Sequence, residues 1–130
     1  MKTKIIKIPK IEDPRGNLSV IEKDILPFAM KRVYYLYDVP GGAERGGHSH
    51  KEQHEFLVAL SGSFDVIVND GKEEKKIVLN KPFEGLLIPN GIWRELKNFS
   101  SGAVCLVVAS DVFDESDYIR DFEEFIETVG

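Results

Sequence analysis

From residue 1 to residue 110 the apolar residues come in short runs closed by Gly, Pro, Asn or Asp, and nowhere in that length do they hold a helical period. A chain patterned in this way has to satisfy its backbone amides between strands. The pattern predicts an all-β body with strands at Leu18–Glu22, Arg32–Asp38, Glu55–Leu60, Ser63–Asn69, Lys75–Leu79, Gly85–Ile88, Ile92–Asn98 and Ala103–Ser110. That many strands suit a closed or double sheet. Ser61-Gly62 and Asn69-Asp70-Gly71 tolerate the positive φ of tight connections, so both read as hairpin turns that make residues 55–79 a meander. Only near the C-terminus does the period change. There Tyr118, Ile119, Phe122, Phe125 and Ile126 share one helical face, which predicts a short amphipathic helix capped by Ser116 or Asp114, its aromatic stripe packed on the sheet.

The 130 residues suit one domain, 1–130, large enough to hold a core without disulfide or metal staples. With 17 Lys and Arg against 22 Asp and Glu the net charge is −5, and the lysines are scattered among acids. Nucleic acid is not an expected partner. No apolar run reaches the roughly 20 residues of a membrane helix, and the lysine-rich start has neither the apolar core nor the cleavage site of a secretory signal. A cytoplasmic protein is expected. The single Cys105 sits in the apolar run Ala103–Val108, where a buried strand thiol is expected rather than a nucleophile.

All three histidines fall in Gly47-His48-Ser49-His50-Lys51-Glu52-Gln53-His54-Glu55. On a strand, His48 and His50 would project to one face with both rings within reach of one small ligand. His54 alternates with Glu55 and reads as a solvent-facing or hydrogen-bonding residue. Trp93 and Tyr34 read as packing residues.

The wider pattern, Gly42, His48-x-His50, Glu55 and Gly62 at their spacings, resembles the first cupin motif, and Gly85 to Asn98, with its Pro89-x-Gly91 turn, resembles the second. One position departs, because Arg94 stands where the metal-binding His of that motif usually is. A narrower resemblance runs nearly the whole chain. Arg45-Gly46-Gly47-His48-Ser49-His50-Lys51, the strand from Lys31 to Tyr37, Trp93-Arg94-Glu95-Leu96 and the tail from Ala109 to Arg120 are similar to the WxcM-like sugar nucleotide 3,4-ketoisomerases. The resemblance implies a cupin-type jelly-roll barrel with a short C-terminal helix. It also implies a homodimer that uses no metal or other cofactor and converts dTDP-4-keto-6-deoxyglucose to its 3-keto isomer for deoxyamino sugar and surface polysaccharide synthesis.

Moving a carbonyl along a sugar ring needs a base titrating near neutrality and fixed positive charge for the enediolate. By resemblance His48 takes and returns the carbon proton while His50 moves protons among the oxygens. Arg45 is the nearest cation in sequence. On the Arg32 strand, alternation puts Tyr35 and Tyr37 on one face and Arg32 and Tyr34 on the other, and either face could line a pocket. A thymine ring would suit an aromatic platform, and a diphosphate would suit arginines such as Arg15 in the Asp13-Pro14-Arg15-Gly16-Asn17 loop. Arg94 either contacts a substrate oxygen or pairs with Glu55. Two other readings compete. One is a metal-dependent cupin using His48, His50 and Glu55, which the cation at Arg94 opposes electrostatically. The other is a binding cupin without turnover.

Overall fold

The computed structural model describes residues 1–130, and its body is two five-stranded antiparallel sheets packed face to face. In chain order the strands are β1 (Lys4–Lys7), β2 (Lys10–Ile11), β3 (Leu18–Ser19), β4 (Arg32–Leu36), β5 (Arg45–His50), β6 (Glu55–Ser61), β7 (Phe64–Asn69), β8 (Glu74–Leu79), β9 (Glu84–Ile88), β10 (Trp93–Lys97), β11 (Val104–Ala109) and β12 (Tyr118–Ile119), followed by helix α1 (Phe122–Val129). One sheet runs β1-β9-β6-β11-β4 and the other β12-β5-β10-β7-β8, while β2 and β3 pair apart from both. This is the jelly-roll arrangement expected for the chain.

Between the sheets lies the main core, in which Leu57, Leu86, Cys105 and Val107 of the first sheet meet Phe64, Val66, Val68 and Leu96 of the second. The alternate residues of the first sheet, Phe56, Val58, Leu87 and Val108, point the other way and are still buried, because Ile8 and Leu26 with Ile21, Ile25 and Phe28 cover that face. Burial on both faces explains why β6 is a continuous apolar run instead of an alternating one. On the outside of the second sheet, Phe125 of α1 packs with Trp93 and Ile119.

Several expectations change. Ser61-Gly62 is not a hairpin: β6 pairs with β9 and β11, β7 with β10 and β8, so the chain there passes from one sheet to the other. Gly62 has φ +66°, and a Cβ on it would strike Ser100 and Ala103, so this corner admits only glycine. The Asn69-Asp70-Gly71 turn does join a hairpin, β7 to β8. Of Leu18–Glu22 only Leu18 and Ser19 pair as strand, since Ile21 is drawn onto the outer core. The terminal helix begins at Phe122, where the Asp121 side chain accepts from the Glu124 amide. Tyr118 and Ile119 are instead a strand paired with His50 and Ser49, and Asp114 caps a single 3-10 turn at Glu115–Asp117. Local helical period in this segment yields to the open edge of β5.

Candidate active site

Four strands present their inward faces at one end of the space between the sheets. β5 brings His48 and His50, β6 brings Glu55, β10 brings Arg94, and β4 brings Arg32, Tyr34 and Leu36. β12 closes the edge with Tyr118 and is followed by Arg120. The result is a cavity of about 320 Å³ lined by Arg32, Tyr34, Leu36, Arg45, Gly46, His48, Arg94, Tyr118 and Arg120. Four of these lining residues are arginines.

At its floor is an ion pair sealed from solvent, with Glu55 1% and Arg94 2% exposed. Arg94 donates from Nε to Glu55 Oε1 at 3.0 Å, with Nη2 in ion-pair contact with the same oxygen at 2.9 Å, and from Nη2 to the Tyr34 hydroxyl at 2.8 Å. Tyr34 donates in turn to Glu55 Oε2 at 2.6 Å. Burial opposes ionisation of Glu55, yet the Arg94 charge holds its carboxyl well below the usual carboxylate range. Burial likewise opposes the Arg94 charge, and Glu55 more than restores it. Gly46 makes room for this cation: with φ +75°, it lies where a Cβ would run into the Arg94 guanidinium. It sits where the β5–β10 register shifts, as glycines at bulges do.

The two histidines differ in surroundings. His48 faces the cavity, and its buried Nε2 has no hydrogen-bond partner. Burial, then the Arg94 charge, pull its pKa down to about 2, so it stands as a neutral imidazole with an unused ring nitrogen. His50 lies one ring deeper, its centroid 4.8 Å from that of His48. Its Nδ1 is 3.1 Å from Asp117 Oδ2, and its Nε2 is 3.3 Å from Gln53 Nε2 and 3.6 Å from Glu55 Oε2. Tyr118 touches both rings, at 4.9 and 4.3 Å. Burial pushes the Cys105 thiol up to about 12, in keeping with a packing role.

Of the residues singled out from sequence, His48, Arg32, Arg45 and Arg94 line the cavity and His50 backs it. Tyr35 and Tyr37 do not reach it. Tyr35 lies on the other face of β4 and Tyr37 just beyond its end, their rings tilted with centroids 5.7 Å apart and 59% and 61% exposed, because alternation gives the inward face to Arg32 and Tyr34. Arg15 is also remote, bound back to Asp13 through two side-chain hydrogen bonds of 2.9 Å on an exposed turn. His54 stacks on Phe28, and its Nδ1 accepts from the Asn90 amide at 3.1 Å. Tyr34 is a functional neighbour of the ion pair rather than packing alone. Tyr118, Arg120, Asp117 and Gln53 were not foreseen individually, although Asp117, Tyr118 and Arg120 fall in the tail that carries the family resemblance.

His48, His50 and Glu55 have ligand atoms within 4.8 Å of one another, close enough in principle for a divalent ion. The donor set does not fit one. Both Glu55 oxygens are already taken by Arg94 and Tyr34, and a permanent guanidinium 2.9 Å from the carboxylate would stand against any dication.

The family model described as FdtA: WxcM-like, C-terminal, matches residues 1–130. The TDP-4-oxo-6-deoxy-alpha-D-glucose-3,4-oxoisomerase of Aneurinibacillus thermoaerophilus is 44% identical over 126 residues, covering 96% of this chain and 91% of that one. A crystal structure of a 3,4-ketoisomerase from Helicobacter canadensis superposes with a TM-score of 0.96 at 44% identity, covering 99% of this chain and 98% of that one. A 3,4-ketoisomerase from Thermoanaerobacterium thermosaccharolyticum gives a TM-score of 0.96 at 42% identity over 98% of this chain and 93% of that one. That structure is a histidine-to-asparagine variant holding TDP-4-keto-6-deoxyglucose.

Proposed function

Because the chain belongs to the WxcM-like FdtA family, we propose that it is a sugar nucleotide 3,4-ketoisomerase acting on a dTDP-linked 4-keto-6-deoxyhexose without a metal or other cofactor. The observation that carries the reading is His48, which lines a cavity walled by Arg32, Arg45, Arg94 and Arg120 and keeps a buried Nε2 without a hydrogen-bond partner. His48 takes the proton from C3, beside the C4 ketone. The electron pair left behind becomes the C3=C4 bond of an enediolate, whose oxygens face the arginines. The same proton, or one exchanged with solvent, is returned to C4, and the proton of the C3 hydroxyl passes to the C4 oxygen, leaving the ketone at C3. Atoms and electrons balance with no outside oxidant.

A neutral imidazole with a pKa near 2 is a weak base in the free protein, but the step it performs creates an imidazolium beside an oxyanion. That pair carries no net charge, so the burial that penalises a lone imidazolium penalises it much less. His50 has the second part, moving the hydroxyl proton from one ring deeper, with Tyr118 in contact with both histidines.

A homodimer and a cytoplasmic location complete the proposal. Supporting the first is the edge strand β4, whose outward Val33 and Tyr35, with Tyr37 beyond its end, form an exposed apolar strip. The test is incubation of chelator-treated protein with TDP-4-keto-6-deoxyglucose in deuterated buffer, followed by NMR. A 3-keto product whose ring couplings report the C4 configuration, absent with His48→Asn, is the expected result. Turnover only after iron or manganese is added would overturn the proposal.

A further inference from the structure

Behind His48, hydrogen-bond polarity can be followed from one end of a buried chain to the other. Arg32 can only donate, and its Nη2 lies 3.2 Å from Gln53 Oε1, so the carbonyl of that amide faces Arg32. The amide nitrogen of Gln53 then faces inward, with its two hydrogens directed to Glu55 Oε2 and His50 Nε2, each at 3.3 Å. Glu55, paired with Arg94, is an acceptor only. An amide nitrogen cannot accept, and Glu55 Oε2 at 3.6 Å is beyond hydrogen-bond reach of the same atom, so His50 Nε2 carries a lone pair and no hydrogen. Its single proton belongs on Nδ1.

The other end gives the same answer independently. His50 Nδ1 faces Asp117 Oδ2 at 3.1 Å, an acceptor that needs a hydrogen there. Asp117 cannot turn away, because its carboxylate also accepts from the amides of Glu52 at 2.7 Å and Gln53 at 3.2 Å, and its carbonyl accepts from the Lys51 amide at 2.9 Å. The turn after β5 is therefore clamped onto the residue that precedes β12.

We propose that Gln53 and Asp117 are positioning residues that hold His50 neutral with its proton on Nδ1, so that Nε2 enters the reaction as a base. This rests on the ketoisomerase reading for its consequence in turnover, but the tautomer is a property of the free protein. The arrangement gives the two histidines distinct starting states: His48 lining the cavity with an unpartnered Nε2, His50 with a basic nitrogen held by an amide that can release it. Arg32 links the second state to the pocket wall, since the guanidinium that orients Gln53 is itself a lining residue.

The experiment is ¹⁵N-imidazole NMR of the full chain, with His50 assigned by its loss in His50→Asn. The expected wild-type spectrum has a protonated-type Nδ1 and an unprotonated-type Nε2 for His50. A protonated Nε2 overturns the proposal, and this measurement needs no variant to fold beyond the one used for assignment. In Gln53→Glu the donor to Nε2 becomes an acceptor, so His50 should gain a proton there. Turnover should drop about tenfold or more with KM changed by less than about threefold. Asp117→Asn should scramble the tautomer and lower kcat by about a hundredfold. Folded variants with unchanged kcat, or unchanged His50 nitrogen shifts in Gln53→Glu, overturn the positioning role. The expected tautomer in a protein that fails to isomerise TDP-4-keto-6-deoxyglucose would refute the ketoisomerase assignment alone.

Discussion

Lowering the pH should destabilise this protein through His48 by an amount that can be worked out beforehand. Burial and the Arg94 charge hold the His48 pKa at about 2, against 6.5 for an unconstrained histidine. Below pH 6.5 the unfolded chain therefore binds a proton that the folded chain refuses. The sign follows: unfolding takes up protons, so stability contributed by the neutral His48 is fully present above 6.5 and is lost as pH falls from there toward 2. At about 1.36 kcal/mol per pH unit per proton, the loss between pH 7.5 and pH 5.0 is about 2 kcal/mol. Urea unfolding of the wild type and His48→Asn at both pH values isolates it, because His50 and His54 are common to both proteins and cancel in the double difference. His48→Asn should lose about 2 kcal/mol less than the wild type over this interval. Equal losses in the two proteins would refute the claim that His48 is held neutral by its surroundings.

Removing the Glu55 charge with Glu55→Gln leaves Arg94 buried without a counter-ion and should cost about 3–5 kcal/mol of stability, read as a lowered urea midpoint. Phe125→Ala removes the fully buried anchor of α1 and should cost about 3–5 kcal/mol by the same assay. Dialysis against a strong chelator should leave kcat unchanged, and a loss restored by added metal would mean that the Arg94–Glu55 pair opens to admit an ion.

The β body was readable because its strands are closed by residues that cannot continue them, and the His48-x-His50 spacing was readable because strand period places both rings on one face. The Ser61-Gly62 corner was misread as a hairpin because a turn residue reports φ and not the sheet in which the next strand will pair. The 118–126 stripe satisfied a helical period, yet the open edge of β5 captured its first two residues, Tyr118 and Ile119, as β12, and with them came Arg120. For β4, alternation correctly divided the residues into two faces. Only the packing of β4 against β11 decides which face is inside, which is why Tyr35 and Tyr37 were as plausible as Arg32 from sequence. Gln53 and Asp117 carry no spacing signal at all, since they act across 64 intervening steps of chain.

The short strand β12 also imposes an order on events during synthesis. A ribosome releases this chain from the N-terminus, and both sheets except their last edge strand are encoded before residue 110. A nascent chain can thus build most of its hydrophobic core while His50 still lacks Asp117, and the cavity still lacks Tyr118 and Arg120. The cavity is completed only when the final segment docks against β5. A cut in the exposed stretch around Val112 and Phe113 would sever the covalent link between the strands that carry His48 and His50 and the segment that brings Asp117, Tyr118 and Arg120 to them.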